Sequence, residues 1–161
     1  MMKFFTRELL AKVNDCDPKI RGDAERQWKE NDLCYSRQFE SVKKHLPRFF
    51  VKEFLRRSGL HDYEIANISF LQRGRRSSCE IHLTNEAERI VLELNSLSAV
   101  HLDLQDVFCC MPHMLTWSYS EFDICTEQRI SLDILCDQHS EMYFEFKSIK
   151  LIVQQKEVDT L

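Results

Sequence analysis

The sequence predicts an α+β fold in which N-terminal amphipathic helices pack on a curved, mainly antiparallel sheet of about eight strands in meander order. Three observations predict it. Apolar residues recur at helical spacing through residues 1–59, the period changes to two after residue 60, and the links between the later apolar runs are too short for parallel crossovers. With 161 residues and 43% hydrophobic content, the chain is sized for a single domain with a real core. It divides into a helical segment (1–59), a strand segment (60–155) and a short tail (156–161).

Thr6 is placed to cap a first helix ending near Asn14, with Phe5 and Leu9 packing across its entry. Asp15 to Gly22, which holds Pro18, reads as a loop. From Asp23 a second helix carries Ala24, Trp28, Tyr35, Phe39, Val42 and Leu46 on one face. Pro47 interrupts it, because proline lacks the amide donor and disfavours helical geometry at Leu46. A third helical piece runs from about Arg48 to Arg57 with Phe49, Phe50 and Phe54 on its apolar side, and Gly59 is placed to end it.

After Asp62 the alternation begins. Ile68 and Phe70; Cys79, Ile81 and Leu83; Ile90, Leu92 and Leu94; and Val100, Leu102 and Leu104 each alternate with polar residues. Leu115, Trp117 and Tyr119; Ile130, Leu132, Ile134 and Cys136; Met142, Phe144 and Phe146; and Ile149, Leu151 and Val153 do the same. One face of the sheet is therefore expected to be buried under the helices and the other wetter. A partly closed barrel and a second small layer are the competing arrangements.

Composition narrows the function classes. Only three glycines and three prolines are present, and no phosphate-cradling glycine loop can be found. No cofactor is expected. No apolar run approaches a membrane span or a signal peptide, so a cytoplasmic protein is expected, and the seven cysteines read as reduced thiols. The net charge of −4 is unevenly spread: residues 1–60 carry 14 Lys and Arg against 9 Asp and Glu, and residues 61–161 carry 8 against 17. The two halves are electrically complementary.

Five constellations bear on chemistry. His61 and Asp62 stand at the helix-to-strand junction; as neighbours in an extended strand they would point to opposite faces, which suits a structural junction better than a catalytic pair. Cys110 and His113, with Cys136 and His139, form two Cys-x-x-His pairs that together offer a Cys₂His₂ zinc set, although Cys136 falls in register with the core face. Vicinal Cys109 and Cys110 rarely reach good disulfide geometry. The polar strand faces carry His82, His101, Asp103, Glu121, Asp133 and Glu145, and His101 and Asp103 share a face about 7 Å apart. If His82, His101, Asp103 and Glu121 converged on one hollow they would offer acid/base or hard-metal hydrolysis. Lys44, Arg48, Lys52 and Arg56 form a basic stripe; in a net acidic chain without interleaved aromatic residues, nucleic acid is not the expected partner.

Three short stretches carry a resemblance: Met2-Lys3-Phe4-Phe5-Thr6-Arg7-Glu8, Leu60-His61-Asp62 before an alternating strand, and Phe146-Lys147-Ser148-Ile149. Together they resemble an uncharacterised family of domains of unknown function found in Firmicutes bacteria, in which an amphipathic helical segment precedes a strand-rich half opening with Leu-His-Asp. Leu9 and Leu10 stand where that family carries aromatic residues. The resemblance implies a bacterial cytoplasmic protein and no particular reaction. Similar domains among small immunity-type proteins imply a non-catalytic domain that binds another protein, a toxin or a regulator; a small hydrolase and a zinc-stabilised domain are the alternatives.

Overall fold

A computed structural model describes residues 2–104, 115–136 and 140–155. Three helices precede the sheet: α1 (Arg7–Val13), α2 (Pro18–Val42) and α3 (Arg48–Arg56). Eight strands follow: β1 (Tyr63–Arg73), β2 (Arg76–Thr84), β3 (Glu88–Asn95), β4 (Ala99–Leu104), β5 (Leu115–Thr126), β6 (Arg129–Cys136), β7 (Ser140–Phe146) and β8 (Ser148–Gln155). The α+β class is therefore as predicted.

The Thr6 side chain accepts the Leu9 amide, so α1 starts where the cap predicts. Leu10, one position beyond the expected Leu9, is the α1 residue that packs against the small cluster of Met2, Phe5 and Leu135. The second helix opens at Pro18, five residues before Asp23. Asp17 caps it by accepting the Lys19 amide at 2.8 Å, and a proline in the first turn lacks only a donor that has no partner there anyway. At its far end Leu46 turns extended before Pro47, and α3 begins afresh.

The sheet is antiparallel throughout and open, in the order β4-β7-β6-β5-β1-β2-β3-β8. Meander order holds within β1-β2-β3 and within β5-β6-β7 but fails at the centre, where β5 pairs with β1, and at the two ends, where β7 takes β4 and β3 takes β8. The reason at the ends lies in a shared bend. The β3–β8 ladder ends at Asn95 opposite Ser148 and the β4–β7 ladder starts at Ala99 opposite Glu145. Bonds from the Lys147 amide to the Asn95 carbonyl and from the Ser98 amide to the Glu145 carbonyl, both 2.9 Å, carry one ladder into the other. Ser96, at φ +57°, supplies the kink. Two chain segments thus run through both halves of the sheet and fold it over its own concave face.

That concave face holds the main core. Cys79, Ile81, Leu83, Ile90, Leu92, Leu94, Trp117, Phe122, Leu132, Ile134, Met142 and Phe144 are buried there beneath Phe39, Val42, Leu46, Phe50, Phe54 and Leu60. Phe50 stacks on Phe54 and meets Phe122 edge-on, with ring centroids at 5.4 and 5.7 Å. Arg57 locks α3 to the sheet: its guanidinium donates to both Glu88 oxygens at 2.6 and 2.8 Å and to Glu53 at 2.5 Å. Tyr63 donates to the same Glu88 carboxylate at 2.5 Å.

The alternation misplaces several side chains. Phe49 is 61% exposed, because at about 100° per residue it lies about 140° around the helix from Phe54, off the side that Phe50 and Phe54 turn to the core. Val100 and Leu102 on edge strand β4, and Phe70 on β1, are also exposed rather than in the core. A register shift between Trp117 and Tyr119 separates those two residues, so Tyr119 joins Phe5 and Trp28 in a smaller second cluster around Met2 and Leu135.

Candidate functional site

The strand-face residues singled out by sequence largely share one surface. Glu121 on β5 stands opposite Asp133 on β6, Asp133 opposite Tyr143 on β7, and Tyr143 opposite His101 on β4. Asp103 and Glu141 pair in the same way two residues along. This is the convex side of the sheet, and it is not simply solvated: residues 2–6 and α1 lie over it. A cavity of about 490 Å³ results, lined among others by Arg7, His101, Asp103, Asp133, Glu141 and Tyr143. His82 lies outside it, on β2, 3.3 Å from Glu80. Glu145, one row further on, accepts from Tyr143 at 2.5 Å and from Ser98 at 3.1 Å.

Most of these groups are already bound. Glu121 is buried and accepts three successive backbone amides, from Lys3, Phe4 and Phe5, at 2.7, 2.8 and 2.7 Å. Successive amides make a concave cradle for an anion, and here the anion is a side chain of the protein itself. The Phe4 carbonyl accepts from Asn31 at 2.7 Å, and Lys3 pairs with Asp123, so both neighbours of the cradle are tied down. Arg7 bridges Asp103 and Glu141 at 2.5 and 3.0 Å. Burial pushes the Asp133 carboxyl above its usual range. That is the direction a proton carrier requires.

The junction pair behaves differently from expectation. His61 Nδ1 stands 2.9 Å from Asp62 Oδ1, so the two side chains meet instead of diverging. Asp62 is not extended: its φ is +67°, in a turn where Ser58, Gly59 and Leu60 are left-handed as well. Its amide donates to the Trp117 carbonyl at 2.9 Å, and the His61 ring packs edge-on against Tyr119 at 5.2 Å. Both contacts join the helical segment to β5, with the Asp62 side chain open to solvent and His61 partly covered, which suits a joint.

Among the described residues no group of three or more His, Cys, Asp or Glu side chains is arranged to hold a metal ion. Cys136 is buried on the core side of β6. Cys110, His113 and His139, its expected companions, lie outside the described residues, as does Cys109. Burial also drives the Cys79 thiol up to about 12, which leaves it a packing group.

A second surface was read from the sequence only as a basic stripe, without its exposed apolar residues. Helix α3 buries Phe50, Glu53 and Phe54, as well as Arg57 at its C-cap, and exposes Arg48, Phe49, Lys52, Leu55 and Arg56. Arg48, Lys52 and Arg56 follow one another at intervals of four along the outer side. Phe49 and Leu55, 61% and 54% exposed, stand on either side of that row. The four-residue stripe expected from Lys44 onward loses its first member, because Lys44 lies in the short 3₁₀ turn before Pro47. A helical projection of residues 48–57 alone, with the aromatic pair Phe50 and Phe54 turned inward, would have exposed both apolar residues.

No protein-family model matches the chain, and no curated protein matches it. Architecture and surface define it as an α+β domain with a helix-covered, bent antiparallel sheet. Among the described residues no helix is long and apolar enough to cross a membrane.

Proposed function

We propose that this chain is a non-catalytic protein-binding domain, of a regulatory or immunity-like kind, that meets its partner through the exposed side of α3. One observation carries the reading: Phe49 and Leu55 are large apolar side chains held in water on a helix whose other side is fully anchored in the core. Exposed aromatic residues next to arginine are the composition of binding hot spots, and they sit here on a rigid element. The acidic candidates, by contrast, are engaged in holding the fold. Glu121 fastens residues 3–5, Asp103 and Glu141 hold Arg7, and Glu88 and Glu53 hold Arg57.

The test is quantitative capture of partners from extract of the native cell by the wild-type protein, by Phe49→Ala/Leu55→Ala, and by Phe70→Ala, whose ring is 50% exposed on the sheet. A partner lost with the α3 double variant and retained with Phe70→Ala supports the reading. Equal capture by all three removes α3 from it.

The hydrolase alternative keeps one specific support, the meeting of His101, Asp103 and Asp133 around a single cavity with one carboxyl shifted upward. Turnover of an ester, phosphoester or glycoside panel that disappears in Asp133→Asn would favour it.

A further inference from the structure

We infer that the partner element received by α3 is an acidic protein segment carrying an apolar side chain, which rests its carboxylates on Arg48, Lys52 and Arg56 and its apolar group against Phe49 or Leu55. The inference rests on the binding reading above and names the chemistry of the partner.

The argument is one of complementarity. Arg56 is partly answered within the helix, by Glu53 at 3.0 Å, yet its side chain stays 58% exposed. Among the described residues Arg48 and Lys52 form no ion pair. Three cations along a nine-residue helix, with one acid buried against Arg57, leave the outer side of α3 strongly positive in a chain whose net charge is −4. Opposite charge on the partner would raise the association rate and set its orientation, and the two apolar residues would hold it once docked.

Other polyanions fit less well. A nucleic-acid backbone needs a longer basic track, and this one breaks at Leu46 and Pro47. An anionic membrane needs an amphipathic helix with a continuous apolar face to immerse, whereas Phe49 and Leu55 are separated by the cations themselves. A compact acidic segment asks for no more than three cations and two apolar contacts.

The experiment titrates the full chain with a fluorescein-labelled synthetic peptide in which Asp and Glu flank one Leu and one Trp, and with a control peptide bearing Asn and Gln at the acidic positions. Anionic phosphatidylserine vesicles and duplex DNA are titrated in parallel. The expected result is saturable binding of the acidic peptide alone, with amide shifts confined to residues 48–57 in NMR spectra. Phe49→Ala and Lys52→Glu should each weaken it by roughly tenfold without changing the melting temperature, and raising salt from about 50 to about 300 mM should weaken it further. Equal binding of the two peptides overturns the inference, as does preference for vesicles or DNA or indifference to both substitutions. A partner that crosslinks at position 49 but carries no acidic segment would overturn this inference while leaving the binding reading in place.

Discussion

The Glu121 carboxylate accepts the Phe5 backbone amide at 2.7 Å, across 116 residues of sequence and inside the protein. Through this bond and its two neighbours one buried acid organises the start of the chain, and so positions Met2, Thr6 and Arg7 along the cavity. A residue that sequence patterning offers as an acid/base candidate is thus a fastening for another segment.

Glu121→Ala should cost about 3 kcal/mol, since charge-assisted bonds contribute roughly 1.5–3 kcal/mol each and the amides left behind can partly find water. Amide hydrogen exchange at Lys3, Phe4 and Phe5 should accelerate far more than at Ile81 or Leu92 in the same variant. Unchanged exchange at those three residues would contradict the fastening.

Stability should fall in acid through the Arg57 clamp. The hydrogen bond from Arg57, opposed by partial burial and helped by Tyr63, brings the Glu88 carboxyl down to about 2. Its ordinary value is near 4.5, so the folded state binds its proton less readily than the unfolded one. The stabilisation is complete above about pH 4.5 and is lost as pH falls toward 2; its size is about 3 kcal/mol at most. Urea denaturation across that window should show a smaller slope with pH in Glu88→Gln than in the wild type. Arg57→Met should be severe, at about 3–5 kcal/mol, because it leaves Glu88 and Glu53 in place without their cation.

The turn between α3 and β1 makes a sharp demand on backbone conformation. Gly59 and Asp62 have φ of +69° and +67°, where a side chain with a Cβ is strained and aspartate or asparagine is tolerated best. Asp62→Asn should therefore be nearly neutral, and Asp62→Ala should cost about 1 kcal/mol. Gly59→Ala should cost about 1–2 kcal/mol, because its φ of +69° strains any residue with a Cβ, while the new methyl would rest in ordinary contact with the Phe54 ring. Thermal melts of the three variants give the order directly.

Neighbouring phenylalanines on α3 should separate stability from binding. Phe50 is 1% exposed, and its truncation should cost about 3–5 kcal/mol by leaving a cavity against Phe54 and Phe122. Phe49→Ala should change stability by less than about 0.5 kcal/mol. Equal losses in a denaturant titration would place Phe49 in the core.

Much of the fold was legible because local rules and burial agree. Thr6 and Pro47 punctuate the helices where capping chemistry says they should, whereas the left-handed residue just past the α3 cap is Ser58 and Gly59 falls inside the next turn; the alternating apolar residues of β2, β3, β6 and β7 are buried as their period requires. Asp17 and Pro18 gave an equally good start signal for α2, but the loop reading of Pro18 and Gly22 obscured it. Strand order was not legible at the sheet ends, since the bend at Ser96 and Lys147 depends on pairings between residues about fifty positions apart. The site residues divided the same way. Alternation put His101, Asp103, Glu121 and Asp133 on one face, whereas only long-range register and the path of residues 2–6 show that the face is covered. The meeting of His61 with Asp62 needed the left-handed backbone at Asp62, which an extended-strand reading leaves out.

The most direct test of the central claim is photocrosslinking in extract of the native cell with benzoylphenylalanine in place of Phe49, and in a separate protein in place of Phe70. A discrete crosslinked partner at position 49 that is absent at position 70, and that fades when Lys52→Glu is added, is the predicted result. No specific product at position 49, or the same products at both positions, would contradict α3 as the binding surface.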